Sequence, residues 1–136
     1  MDRAVTIHGV LETSLYTDDL DAADRFYHRV LGLERHSRVD GRHVFFRCGD
    51  DMLLVFRAER TLDPDAGLPA HGAAGPSHVA FAIHDSAIDD WRHRLLGMGV
   101  EIEAEVEWPR GGHSLYFRDP AGNSLELASP RIWGIP

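Results

Sequence analysis

The sequence predicts an α+β fold: two βαβββ modules forming a curved mixed sheet cup. Three observations carry this. Apolar residues alternate with polar ones in short runs of strand length. An amphipathic helical stretch follows the first strand of each half. Landmarks also recur at an offset of about 66 residues, with Asp19 answering Asp85 and Gly32 answering Gly99. That offset is close to half of the 136 residues and argues for duplication.

The elements follow in order. Met1 to Val10 is a lead-in, and Leu11 to Thr17 alternates as a strand. Asp18 and Asp19 stop it, and either side chain can cap a helix by accepting backbone N–H bonds. Leu20 to Leu31 is helical, with Leu20, Ala23, Tyr27, Val30 and Leu31 on one face. Gly32 ends it, since glycine tolerates a left-handed backbone. Leu33 to Val39 and Arg42 to Cys48 are strands joined by the Asp40-Gly41 turn. Met52 to Arg57 is the fourth.

The second half repeats the order. His78 to Ile83 is a strand, and His84-Asp85-Ser86 a turn with a cap. Ala87 to Met98 is a helix with Ile88, Trp91, Leu95 and Met98 on one face, ended by Gly99. Val100 to Glu107, His113 to Phe117 and Ser124 to Ala128 complete the strands, and a tail carries Trp133, an apolar plug or a cover folded over the cup. The boundaries are a first module 1–57, a linker or mobile loop 58–75 rich in proline and glycine, a second module 76–129 and a tail 130–136. Two open sheets side by side make a cup, which is a place to bind something.

Composition narrows the function. Hydrophobic residues are 43 % and charged residues 26 %, a globular profile. The net charge of -8 disfavours nucleic acid and anionic membranes as partners, since both need a basic surface. The single cysteine, Cys48, rules out an intrachain disulfide and reads as an inert strand thiol. No signal-peptide core occupies the first thirty residues, and no apolar run nears about 18 residues. A cytoplasmic location is the expectation.

The strongest chemical signal is the run His78 to Ile83. Alternation puts His78, Ala80 and Ala82 on one face and Val79, Phe81 and Ile83 on the other. The large residues suit packing under a helix. The small ones leave room above the sheet, with an imidazole at the rim. His78 precedes Asp85 by seven residues, and the same step back from Asp19 lands on Glu12. On the last strand, Glu126 lies between Leu125 and Leu127. A carboxylate so placed is costly unless it is paired or bound to a cation. Glu12, His78 and Glu126 are therefore candidate ligands of one divalent metal ion: Mn, Fe, Co, Ni or Zn. Three protein ligands leave positions open for Lewis-acid chemistry. Each residue alone has a plainer reading: a structural histidine, a strand glutamate, and a Glu126 paired with Arg131. Near Leu54, the matching place in the first half, nothing can ligate.

Several stretches resemble the vicinal oxygen chelate superfamily, which includes glyoxalase I, fosfomycin-resistance thiol transferases, extradiol dioxygenases, methylmalonyl-CoA epimerase and bleomycin-binding proteins. They are Leu15-Tyr16-Thr17-Asp18-Asp19-Leu20 with Phe26-Tyr27 and Val30-Leu31-Gly32-Leu33, then Ser77-His78-Val79-Ala80-Phe81 and Tyr116 to Leu127. The resemblance implies paired βαβββ modules, a metal held in the cup, and a small-molecule substrate. Its second-half histidine and last-strand glutamate fall on His78 and Glu126. Its first ligand, usually histidine, falls on Glu12. That departure weakens an extradiol dioxygenase assignment, and Leu54 argues against the four-ligand sites of glyoxalase I and the epimerase. The resemblance also implies a homodimer whose cups combine modules of both chains, with His78 and Glu126 facing Glu12 of the partner.

Other residues complete the expected site. Glu126 and Tyr116 are the candidates for catalytic work, Tyr116 as a substrate-orienting or proton-donating group. Tyr16, Trp108, His113, Ser114 and Tyr116 are candidates for lining the cup. The reading is a metal-dependent enzyme, a lyase or isomerase, dioxygenase or thiol transferase, whose metal polarises vicinal oxygens of a substrate. The competing reading is a metal-free drug-binding or sequestering protein of the bleomycin-resistance type.

Overall fold

The computed structural model describes residues 6–65 and 67–135. Eight strands form two four-stranded sheets of identical topology. The first sheet contains β1 (Glu12–Tyr16), β2 (Glu34–Val39), β3 (His43–Cys48) and β4 (Asp51–Phe56), in the order β1-β4-β3-β2. The second contains β5 (His78–Ala82), β6 (Ala104–Glu107), β7 (His113–Arg118) and β8 (Ser124–Ala128), in the order β5-β8-β7-β6. In each sheet the first strand runs parallel to the last, and the other pairings are antiparallel. Ser14 sits opposite Leu54 in one sheet, as Ala80 sits opposite Glu126 in the other.

The helices form where the caps and punctuation direct. Asp19 Oδ1 accepts from the Ala22 N–H at 3.0 Å and starts α1 (Leu20–Arg25). A single wide turn, Phe26–Val30, extends α1 and turns Tyr27 and Val30 into the core. Gly32 follows with φ +70°, which a side-chain-bearing residue adopts only with strain. The short α2 (Ala58–Thr61) comes next. In the second half α3 spans Ile88–Gly97.

One hydrophobic core serves both modules. Leu15, Val44, Phe46, Leu53 and Val55 from the first sheet join Leu115, Phe117, Leu125 and Leu127 from the second, with Tyr27 and Leu95 from the helical segments between. The Tyr27 hydroxyl donates to Asp119 Oδ2 at 2.6 Å across the modules. Phe26 and Phe117 rings lie 6.3 Å apart on the same seam. Val79 and Phe81 pack against this core, whereas His78, Ala80 and Ala82 face outward, the division that alternation predicts.

Four expectations are corrected. The 58–75 segment is not uniformly irregular: it opens with α2, buries Thr61, and returns so that the His71 N–H donates to the Thr61 carbonyl at 2.9 Å. The Val100–Glu107 strand shrinks to β6, because Val100 and Ile102 turn into the core before pairing begins. Asp85 does not cap α3. Its carboxylate instead takes the Ser129 hydroxyl at 2.7 Å and faces His113 Nδ1 at 3.1 Å. Trp133 does not plug the cup: it lies in a short turn and is 81 % exposed.

The seam bond generates a prediction. Burial, and then Asp119, hold the Tyr27 phenol well above its ordinary range. The unfolded chain therefore ionises this tyrosine first, and its contribution is intact below about pH 10 and lost above it. Tyr27→Phe is expected to lower stability by about 1–3 kcal/mol in urea unfolding at neutral pH. It should also soften the alkaline decline. An unchanged midpoint would show that the seam does not depend on this bond.

Candidate metal centre

The outward face of the second sheet gathers the polar residues. His78 begins β5 at the sheet edge, and its Nδ1 is 2.9 Å from the Ser124 carbonyl. A carbonyl only accepts, so Nδ1 carries a hydrogen. The other ring nitrogen, Nε2, points at Glu126 Oε1 at 3.3 Å. Glu126 sits one strand over on β8 with its side chain 8 % exposed. Its second oxygen, Oε2, accepts from the Ser114 hydroxyl at 2.6 Å. Ser114, fully buried on β7, in turn accepts from Trp108 Nε1–H at 2.9 Å. Three strands and a loop thus converge on one carboxylate.

Tyr116 stands beside this group, its ring nearly parallel to that of His78 with centroids 6.4 Å apart. Burial pushes its pKa above the ordinary tyrosine range, and the Glu126 charge adds to the effect, so the phenol remains an O–H donor at neutral pH. Ala80 and Ala82 place only methyl groups beside it, leaving open space.

The donor chemistry fits a divalent cation. With Nδ1 committed to a backbone carbonyl, a neutral His78 presents a lone pair at Nε2, the arrangement characteristic of metal-bound imidazole. That lone pair faces a carboxylate oxygen. Two acceptors at this separation repel unless a proton or a cation lies at them. An imidazole nitrogen and a carboxylate oxygen are also the donor types that borderline divalent ions prefer.

Glu12 does not join them within one chain. Among the described residues, no three histidine, cysteine, aspartate or glutamate side chains converge. The cause is topological, because β1 and β5 are outer strands of separate sheets. Glu12 projects exposed from β1 opposite Met52. Leu54, at the place in the first sheet equivalent to Glu126, is buried and offers no donor.

The remaining candidates divide. Trp108, Ser114 and Tyr116 belong to the cluster. His113 alternates to the opposite face of β7, held by Asp85, and stands outside it. Hydrogen bonds from Ser129 and His113 hold the Asp85 carboxyl below the usual carboxylate range, and Arg131 approaches Asp85 at 4.0 Å rather than Glu126. Tyr16 lies on the first sheet, where its hydroxyl meets His71 Nδ1 at 2.7 Å. Sequence reasoning passed over His71, which has no periodic neighbours, and an aromatic group on the same wall. His43, Phe45 and Phe56 share that face, with Phe45 and Phe56 rings edge to face at 5.3 Å. The alternation His43-Val44-Phe45 was the available signal.

Comparison with known proteins adds a family context. The family model for the Glyoxalase/Bleomycin resistance protein/Dioxygenase superfamily matches residues 9–127. A crystal structure of lactoylglutathione lyase from Agrobacterium tumefaciens superposes with a TM-score of 0.93 and 41% identity, covering 96% of this chain and 100% of that one. The metallothiol transferase FosB of Shouchella clausii is 29% identical over 89% of this chain and 80% of its own length. The glutathione transferase FosA of Serratia marcescens is 29% identical over 84% and 75%.

The Trp108–Ser114–Glu126 chain is testable alone. Ser114→Ala removes a donor from a buried carboxylate and an acceptor from an indole N–H. It should cost about 1–3 kcal/mol in denaturant unfolding. A loss within about 0.5 kcal/mol, the scale of an ordinary surface change, would show the chain is not structurally coupled.

Proposed function

The chain belongs to the Glyoxalase/Bleomycin resistance protein/Dioxygenase superfamily, and on that premise we propose that it is a metal-dependent enzyme acting on a small molecule with adjacent oxygens. The observation that carries the reading is His78 Nε2 facing the buried Glu126 carboxylate at 3.3 Å. An imidazole nitrogen set against a carboxylate oxygen needs a proton or a cation between them, and a divalent ion fills that place while leaving positions open for substrate. Glu12, from a second copy, is the proposed third ligand. In support, β1 and β5 are unpaired at their outer edges, and Val10, Leu11, Ala80 and Ala82 are exposed there. A homodimer that joins these edges would bring the first module of one chain against the second module of the other.

The ligands would be one imidazole and two carboxylates, suited to Mn, Fe, Co, Ni or Zn. When bound, such an ion supplies a Lewis acid that polarises vicinal substrate oxygens. The protein's own groups do the rest. Ser114 fixes Glu126 through Oε2, leaving Oε1 for the ion. Tyr116 offers a phenolic O–H beside the ligands and orients a substrate oxygen. Ala80 and Ala82 leave the volume that the substrate occupies. The donor set favours polar chemistry over oxygen activation, which in non-haem iron enzymes rests on two histidines and one carboxylate. Leu54 holds the protein ligands at three, which suits transfer or addition at open positions. Relatives named metallothiol transferase and glutathione transferase are consistent with that class.

Metal-stripped protein is expected to take up one divalent ion per chain in calorimetric titration with Co²⁺ or Zn²⁺. His78→Ala, Glu126→Gln and Glu12→Ala should each weaken uptake at least about tenfold. Mixing His78→Ala chains with Glu12→Ala chains should restore one site per mixed dimer, because one cup then keeps all three ligands. Wild type that binds no ion while retaining small-molecule binding would replace the enzyme reading with the metal-free binder.

A further inference from the structure

The outward wall of the first sheet carries a second cluster whose chemistry points to the substrate. Tyr16, Phe56 and His43 lie in register across three strands. The Arg42 guanidinium stands 5.8 Å from the centre of the Phe56 ring, within cation–π range. It donates to His43 Nδ1 at 2.7 Å. Burial and this cation both keep His43 neutral. Among the described residues Arg42 forms no ion pair with a carboxylate, although the chain carries a net charge of -8. His71 also packs on Phe56, edge to face with centroids 4.9 Å apart, and is fastened by the Tyr16 hydroxyl. With the phenol donating to Nδ1, the His71 hydrogen sits on Nε2.

We propose that Tyr16, Arg42, Phe45, Phe56 and His71 form a recognition pocket for an aromatic ring bearing a carboxylate or similar oxyanion. The substrate class is then aromatic acids. This rests on the metal reading only for where the reacting oxygens lie. Glu12 and Tyr16 are four residues apart on one strand, a span of about 13 Å. Arg42 and His71 are thus too far from the ligand end to act on the reacting atoms, and they hold the substrate's other end. An oxyanion supplies the charge Arg42 lacks, and the half-exposed Phe45 supplies the ring contact, with the buried Phe56 holding Phe45, Arg42 and His71 in place.

The test titrates benzoate, benzyl alcohol and acetate into chelator-treated His78→Ala protein, followed by NMR, so that no carboxylate is held through an ion. Benzoate is expected to bind saturably, more tightly than either comparison compound, and to shift Arg42, Phe45 and Phe56 side-chain resonances. Arg42→Met should weaken benzoate about tenfold or more while leaving benzyl alcohol unchanged. His71→Ala should weaken it and His71→Gln should recover part of the loss. Phe45→Leu should narrow the preference for benzoate over acetate. No saturable benzoate binding, or equal binding by Arg42→Met, overturns the proposal. Wild type that takes up no metal yet binds benzoate through Arg42 supports this pocket and removes the metal reading alone.

Discussion

A carboxylate buried in the middle of a sheet is the constraint on which this site depends. Glu126 lies between Leu125 and Leu127, both in the core, so its backbone position is fixed by apolar packing and its charge must be met locally. Ser114 meets one oxygen from β7, and His78 approaches the other from β5. Trp108 fixes the serine in turn. The polar cluster and the hydrophobic core are thus two faces of the same three strands. Alternation enforces both, because a register slip of one residue would bury His78 and expose Phe81.

Duplication explains why the two walls differ. The scaffolds share strand order and register, so Leu54 and Glu126 occupy equivalent places. One wall spends that place on a metal-type donor and surrounds it with small residues. The other fills it with leucine and continues into Phe45, Phe56 and Tyr16. A cup with one coordinating wall and one aromatic wall can hold a substrate by its oxygens and by its ring. In the proposed dimer, the open edges of β1 and β5 are where the two walls would meet.

Much of the fold was legible because local rules agree with global packing. β8 begins and ends where alternation places it, and Asp19 and Gly32 punctuate the first helix as their chemistry dictates. The facing of His78 and Glu126 was also legible, since each sits on a strand whose outward face is marked by its neighbours. What could not be read was whatever depends on distant contacts. His71 gains its position from Tyr16, far away in the chain, and from the fold of its own loop back to Thr61. Asp85 has the sequence context of a cap, yet Ser129 and His113 outcompete the helix N–H groups for it. β6 starts late because Val100 and Ile102 are claimed by the core. The separation of Glu12 from the pair follows from sheet order, which a repeat offset does not encode.

X-ray absorption spectroscopy of the Zn²⁺- or Co²⁺-loaded protein examines the central claim most directly, because it reads the atoms around the ion. One imidazole and otherwise oxygen neighbours is the predicted first shell, with the imidazole signal lost in His78→Ala. A shell with no imidazole, with two, or with sulfur would contradict the assignment of Glu12, His78 and Glu126 as the ligands.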